Sequence, residues 1–273
     1  MTKNKIFSSG SAALLAAKAD LKKISAPLPP GATRTVVKRN YALITPDGFV
    51  PSVLPGWKNV FVIIHIAPVM GGPRFSQLQL TLDETSTGAG NTGALEHFYY
   101  VSAGDCIAQL NGKKHALTAG SYLFLPPKTN FKFSGAIKGT RLTVFQKKFE
   151  PLADEKTPGV LCGHAAAIAG KPFLGHDDAR LQVLLPDHPS FDMAVNIFTY
   201  QPAATLPFVE THIMEHGLLM LKGQGIYRLD AEYYPVTAGD VIWMASYCPQ
   251  WFVALGKTPA SYIYYKDVNR EPK

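Results

Sequence analysis

Beyond about residue 40 the chain alternates apolar and polar residues, or runs apolar for four to eight positions, between turn residues. In the first half these segments are NVFVIIHIAP, FSQLQLTL, HFYYVSAGD, CIAQLNG, HALTAG and SYLFLPP. In the second they are MAVNIFTYQP, HGLLMLKGQG, GIYRLD, YYPVTAGD and VIWMASY. A period of two puts successive side chains on opposite faces of an extended chain, so the pattern predicts many short strands joined by turns.

The pattern is also written twice. Gly104 and Gly120 bracket a predicted hairpin, and Gly223 and Gly239 bracket another with the same spacing. An ungapped offset of 119 residues carries Gly104 to Gly223, Leu110 to Leu229, Ala119-Gly120 to Ala238-Gly239, Phe133 to Phe252 and Lys147 to Lys266. Repetition of this kind takes precedence in fold reasoning. It predicts an all-β chain of two tandem eight-strand jelly-roll barrels; a generic pair of β-sandwiches is the alternative. The expected layout is an N-terminal arm over 1–33, a first domain over 34–150, a Pro/Gly/Ala-rich linker over 151–172 and a second domain over 173–273.

Composition narrows the function. With 273 residues, 47% of them hydrophobic and 17% charged, the chain can bury a sizeable core and is not a disordered polypeptide. No apolar run approaches the ~20 residues of a membrane helix, and the stretch from Ala12 to Ala17 is too short for a secretory leader. The net charge of +7 comes entirely from residues 1–40, where eight basic side chains face Asp20 alone. A nucleic-acid binder carries its basic stripe on a folded module, so no nucleic-acid partner is expected. Cys106, Cys162 and Cys248 form no CxxC spacing, which fits a reduced, cytoplasmic protein without a disulfide framework.

The densest cluster of chemistry is Phe208-Val-Glu210-Thr-His212-Ile-Met-Glu215-His216-Gly217. On a strand Glu210, His212 and His216 share one face, whereas Glu215 falls on the other. One carboxylate and two imidazoles converging on one point suit Mn²⁺, Fe²⁺, Ni²⁺ or Zn²⁺; the alternative is a set of satisfied core polar residues.

These residues and their spacing resemble the cupin family. The resemblance implies a fourth ligand after the stretch that opens at Gly239, which here is Gln250, and leaves part of the coordination sphere open. Ala245 stands where cupins usually carry Pro. The same register in the first half gives Asn91, Gly93, His97 and Phe131. Glycine offers no donor and Phe131 would fill the site, so the first barrel is expected to be metal-free, with Glu96 and His97 ordinary polar residues. Lys147 is expected to be a solvated surface lysine. Asp192 and Asn196 could line the mouth of the second site.

Within the cupins, ETHxxEHG, the later Gly-Gln-Gly-Ile-Tyr227, the segment from Ser261 to Arg270 and the opening from Arg34 to Phe49 resemble the (S)-ureidoglycine aminohydrolase family. Its members are also labelled glyoxylate-induced proteins. The resemblance spans most of the chain. It implies one Mn²⁺ per chain on Glu210, His212, His216 and Gln250. It also implies hydrolysis of (S)-ureidoglycine to (S)-ureidoglycolate and ammonia in allantoin degradation and purine metabolism. Glu210, Lys266 and Tyr262 fall at catalytic positions, and Tyr227, Tyr262, Lys266 and Glu210 at substrate-contacting ones. The implied partners are a small-molecule substrate and further copies of the chain, with no membrane. Two other readings are a metal-dependent isomerase or dioxygenase acting on another small acid, and a non-catalytic ligand-binding bicupin. Gln250, where redox cupins carry His, speaks against the dioxygenase.

Overall fold

The computed structural model describes residues 29–271, which form strands and three short 3-10 turns with no α-helix among them. The expected arm therefore lies outside the described residues up to position 28. No helix among the described residues is long and apolar enough to cross a membrane.

Four sheets make two barrels. In the N-terminal barrel a six-stranded sheet runs in the order Leu161–His164, Ser121–Leu125, Leu95–Ala103, Thr140–Lys148, Phe75–Leu82, Phe61–Ile66. It faces a five-stranded sheet across a core that includes Leu78, Tyr99, Leu123, Val144, Ala108 and Phe133. In the C-terminal barrel an eight-stranded sheet runs Val36–Val37, Tyr41–Ile44, Val241–Met244, His216–Lys222, Ala260–Asp267, Met193–Tyr200, His176–Val183, Lys171–Phe173. Its inner face packs on a three-stranded sheet of Glu232–Thr237, Gln224–Leu229 and Gln250–Leu255.

The two large sheets also pack on each other through their outer faces. Phe75, Phe98 and Phe145 of one meet Val195, Leu219, Ile263 and Tyr265 of the other. Burial on both faces explains why SYLFL and ASYIYY read as continuous apolar runs, whereas NFKFS and QGIYRL, on the small sheets, alternate. The close approach depends on Gly217, where a Cβ would sit 2.4 Å from the Phe75 ring. The repeated hairpin turns also match: Gly104 and Gly223 adopt φ +71° and +73°, and at each a Cβ would lie 2.7 Å from a backbone Cα across the turn.

Strand pairing departs from the expected layout in three ways. Tyr41–Ile44, at the start of the expected first domain, pairs with Val241–Met244 and extends the second barrel's sheet. Arg34 anchors this segment by a two-pronged ion pair to buried Asp240, at 2.9 and 2.6 Å. Conversely Leu161–His164, inside the expected linker, pairs with Ser121–Leu125 of the first barrel. Each barrel is completed by a strand from beyond its expected boundary.

The third departure is a slip in the repeat. Lys147 stands opposite Glu96 and Gln146 opposite His97, but Lys266 stands opposite His216. The last strands of the two barrels are thus offset by 120 residues, and each carries a register shift where one is accommodated. Lys147 consequently points between the barrels. It is not a surface residue: it is buried, ion-paired to fully buried Asp192, and it donates to the Asp192 carbonyl at 3.2 Å.

Candidate functional site

His216 opens the strand His216–Lys222 and faces the barrel interior, the side on which Leu218 and Met220 join the core. Its ring lies on Tyr264, with centroids 5.2 Å apart and planes 4° from parallel. His212 stacks at 4.7 Å on the ring of His216. The expected strand through Glu210 and His212 does not form. The segment is irregular, and convergence comes instead from a bridge between Glu210 and Gln250, with N–H···O bonds of 2.8 and 3.0 Å. The loop around His212 is fixed by the Tyr247 N–H, which donates to the His212 carbonyl at 2.7 Å.

The donors are brought into one neighbourhood. His212 Nδ1 donates to the Met214 carbonyl at 3.1 Å, which sets the tautomer and leaves Nε2 as an acceptor. That Nε2 is 2.9 Å from Gln250 Nε2, while the Tyr227 hydroxyl donates to Gln250 Oε1 at 3.2 Å. His216 Nε2 is buried without a hydrogen-bond partner among the described residues. Burial lowers the pKa of both imidazoles, that of His216 well below the usual range with further lowering from His212 and Lys266, so both are neutral near pH 7. Burial raises the Glu210 carboxyl, against the pull of Lys266.

Among the described residues no three His, Cys, Asp or Glu side chains make a cation cluster by themselves. Any cation here would also need the Gln250 amide. The donor set fits one nonetheless: two neutral imidazoles, one with an orphaned buried nitrogen, beside a carboxylate and an amide that can turn its oxygen over. Glu210, His212, His216 and Gln250 could hold a divalent metal.

Lys266 lies on the interior face, and its charge acts on Glu210, His212 and His216. It forms no hydrogen bond or ion pair with the described residues. Tyr227 and Tyr262 are both buried; the Tyr262 hydroxyl lies 3.0 Å from that of Tyr200. Sequence reasoning missed Tyr200 and Tyr264. Asn196 faces inward and donates to the Tyr264 hydroxyl at 3.1 Å rather than lining the mouth. The available signal was strand parity, since Tyr262, Tyr264 and Lys266 alternate on one face. Asp192 is not at the site but between the barrels, with Lys147.

In the first barrel His97 Nδ1 is 3.1 Å from the Tyr99 hydroxyl and the ring packs 5.8 Å from Phe131. Asn91 pairs with Asn130 at 2.7 Å, and Gly93 is exposed. Glu96 is no ordinary polar residue: it is fully buried between the barrels beside Asp192.

These two barrels, each a small sheet closed on a large one, define a bicupin. The fold is shared with a cupin conserved-barrel protein from Leptotrichia buccalis at TM-score 0.59, 12% identity and coverage of 83% and 96% of the two chains. No family model matches the chain. The structure of protein Ylba from E. coli superposes at TM-score 0.79 with 32% identity, covering 89% of this chain and 97% of that one. The (S)-ureidoglycine aminohydrolase of Arabidopsis thaliana is 37% identical over 246 residues, 89% of this chain and 80% of that protein. The chain belongs to the (S)-ureidoglycine aminohydrolase family.

Proposed function

We propose that the C-terminal barrel holds one Mn²⁺ on Glu210, His212, His216 and Gln250 and hydrolyses (S)-ureidoglycine to (S)-ureidoglycolate and ammonia, a step of allantoin breakdown in purine metabolism. Family membership supports the reaction. The observation that carries the site is the buried, unpartnered Nε2 of His216 among three other donors. Mn²⁺ bound there would act as a Lewis acid toward the substrate's carboxylate and the exchanging heteroatom.

The protein's own groups account for the rest. In the reaction a water oxygen replaces the amine nitrogen on the α-carbon, and the amine leaves as ammonia. Lys266, a cation without a hydrogen-bond or ion-pair partner among the described residues, offsets the substrate carboxylate. The Tyr262 and Tyr227 phenols, kept protonated by burial, donate to urea or carboxylate oxygens. Glu210, whose carboxyl burial raises toward neutrality, takes the proton from water and returns it to the departing amine. The surrounding aromatic wall of Phe198, Tyr200 and Phe252 excludes bulk water.

We place the enzyme in the cytoplasm, a reading supported by three free cysteines, and expect it to work as a homo-oligomer. The test is ammonia release from freshly generated (S)-ureidoglycine by protein stripped of metal and reloaded with Mn²⁺, beside His212→Ala. Release that needs Mn²⁺ and is lost in the variant supports the proposal. No release from protein that binds one metal per chain would overturn the substrate, and oxygen uptake with another small acid would favour a dioxygenase.

A further inference from the structure

Arg74 belongs to the first barrel, immediately ahead of the strand Phe75–Leu82, yet its hydrogen bonds to Glu215, Ser246 and Asp267 all run to the second. Its backbone N–H reaches both carboxylate oxygens of Glu215 at 3.1 and 3.2 Å, and its Nε donates to Glu215 Oε1 at 3.2 Å. Its Nη2 donates to Asp267 Oδ2 at 2.5 Å and reaches Ser246 Oγ at 3.5 Å. Asp267 in turn accepts the Glu215 N–H at 2.6 Å, and the Trp243 indole donates to Glu215 Oε2 at 3.4 Å.

The three contacted residues are the chain neighbours of the site. Glu215 precedes His216, Asp267 follows Lys266, and Ser246 precedes Tyr247, whose N–H holds the His212 loop. One side chain thus ties together the ends of the strands carrying His216 and Lys266. Glu215 is almost completely buried, so without the Arg74 guanidinium it would lose its cationic partner and keep, among the described residues, the residue-74 backbone N–H, a long indole bond and a carboxylate neighbour.

We propose that Arg74 is a positioning residue: through Glu215 and Asp267 it sets the side chains of His216 and Lys266, so the first barrel takes part in the site without any ligand of its own. The inference deepens the reading above and rests on His216 being a ligand. Outer partners of metal ligands commonly change affinity or activity by about 10–100-fold when removed.

The test compares Arg74→Met, Arg74→Lys and Arg34→Met. The last removes the other long-range Arg–Asp clamp, at a place that touches no site residue. Mn²⁺ affinity is read from the free-ion EPR signal. The His216 imidazole and Trp243 indole NMR resonances are read in metal-free protein, and kcat and KM in loaded protein. Arg74→Met should weaken Mn²⁺ binding about 10-fold or more, move both resonances and lower kcat, with Arg74→Lys recovering part of each. Arg34→Met should lower thermal stability while leaving affinity and resonances unchanged.

Wild-type affinity and resonances in Arg74→Met would overturn the inference, as would equal losses in Arg34→Met. If Arg74→Met does not fold, Asp267→Asn carries the test: it keeps an acceptor for the Glu215 N–H but removes the charge Arg74 holds, and unchanged Mn²⁺ affinity there would overturn the proposal. The apo resonances and Mn²⁺ binding do not depend on turnover, so wild-type protein that binds Mn²⁺ but releases no ammonia contradicts the proposed substrate and leaves Arg74 to be judged by them.

Discussion

His216 can serve as a ligand because burial holds its imidazole neutral while leaving Nε2 without a hydrogen-bond partner among the described residues. Under the proposed coordination Glu210 would differ in keeping a second oxygen available for a proton. Glu210→Gln is therefore expected to lower kcat by more than its Mn²⁺ affinity falls, measured by turnover at saturating metal; equal losses would remove the base role. Glu96 makes a separate case. Its fully buried carboxyl is pushed well above the ordinary glutamate range, first by burial and then by neighbouring Asp192. The folded state thus holds a proton that the unfolded chain releases, so this contribution to stability is present below about pH 4.5 and is lost as pH rises toward the folded pKa. Glu96→Gln cannot lose that proton, so its stability relative to wild type should rise between about pH 5 and about pH 8 in urea unfolding; a fall would contradict the assignment. At this scale residue type and spacing singled out Glu210, His212 and His216, the cupin resemblance added Gln250, and the structure brings the four into one neighbourhood. Tyr200, Tyr264 and Asn196 were not legible as a group, because their hydroxyl and amide contacts depend on cross-strand register.

Among the elements, the strands and their turns could be read from period and glycine, but not which sheet each joined. Tyr41–Ile44 and Leu161–His164 have ordinary strand patterns, and nothing in a local pattern says that the former joins the second barrel and the latter the first. The 119-residue repeat held through the hairpins and failed by one residue in the last strand, where register shifts intervene. That single step separates a lysine aimed at the site from one locked between the barrels, because a one-residue slip exchanges the two faces of a strand. The Tyr41–Ile44 strand is secured by Arg34, and Arg34→Ala would leave the Asp240 carboxylate buried with, among the described residues, only the Thr237 N–H. A loss of about 2 kcal/mol in equilibrium unfolding is expected, and a change below about 0.5 kcal/mol would show the clamp to be idle.

For the molecule as a whole, the sheet-on-sheet contact is what makes the two barrels one unit. Gly217 shows how tight it is: Gly217→Val would drive a side chain into the Phe75 ring and Gln77 Oε1. It should cost about 1–3 kcal/mol by calorimetric melting, whereas wild-type stability would mean that the sheets are free to part. Across this contact the proposed reading has the barrels divide their labour. The second carries the donors, whereas the equivalent position in the first is occupied by the Phe131 ring and retains only His97. The proposed chemistry depends on one metal site per chain, in the C-terminal barrel. Metal-free protein titrated with Mn²⁺ and followed by the EPR signal of the free ion tests it directly, in wild type, His216→Ala and His97→Ala. One ion should bind per chain, and this binding should be lost in His216→Ala and kept in His97→Ala. Binding that survives His216→Ala, or that disappears in His97→Ala alone, would contradict it.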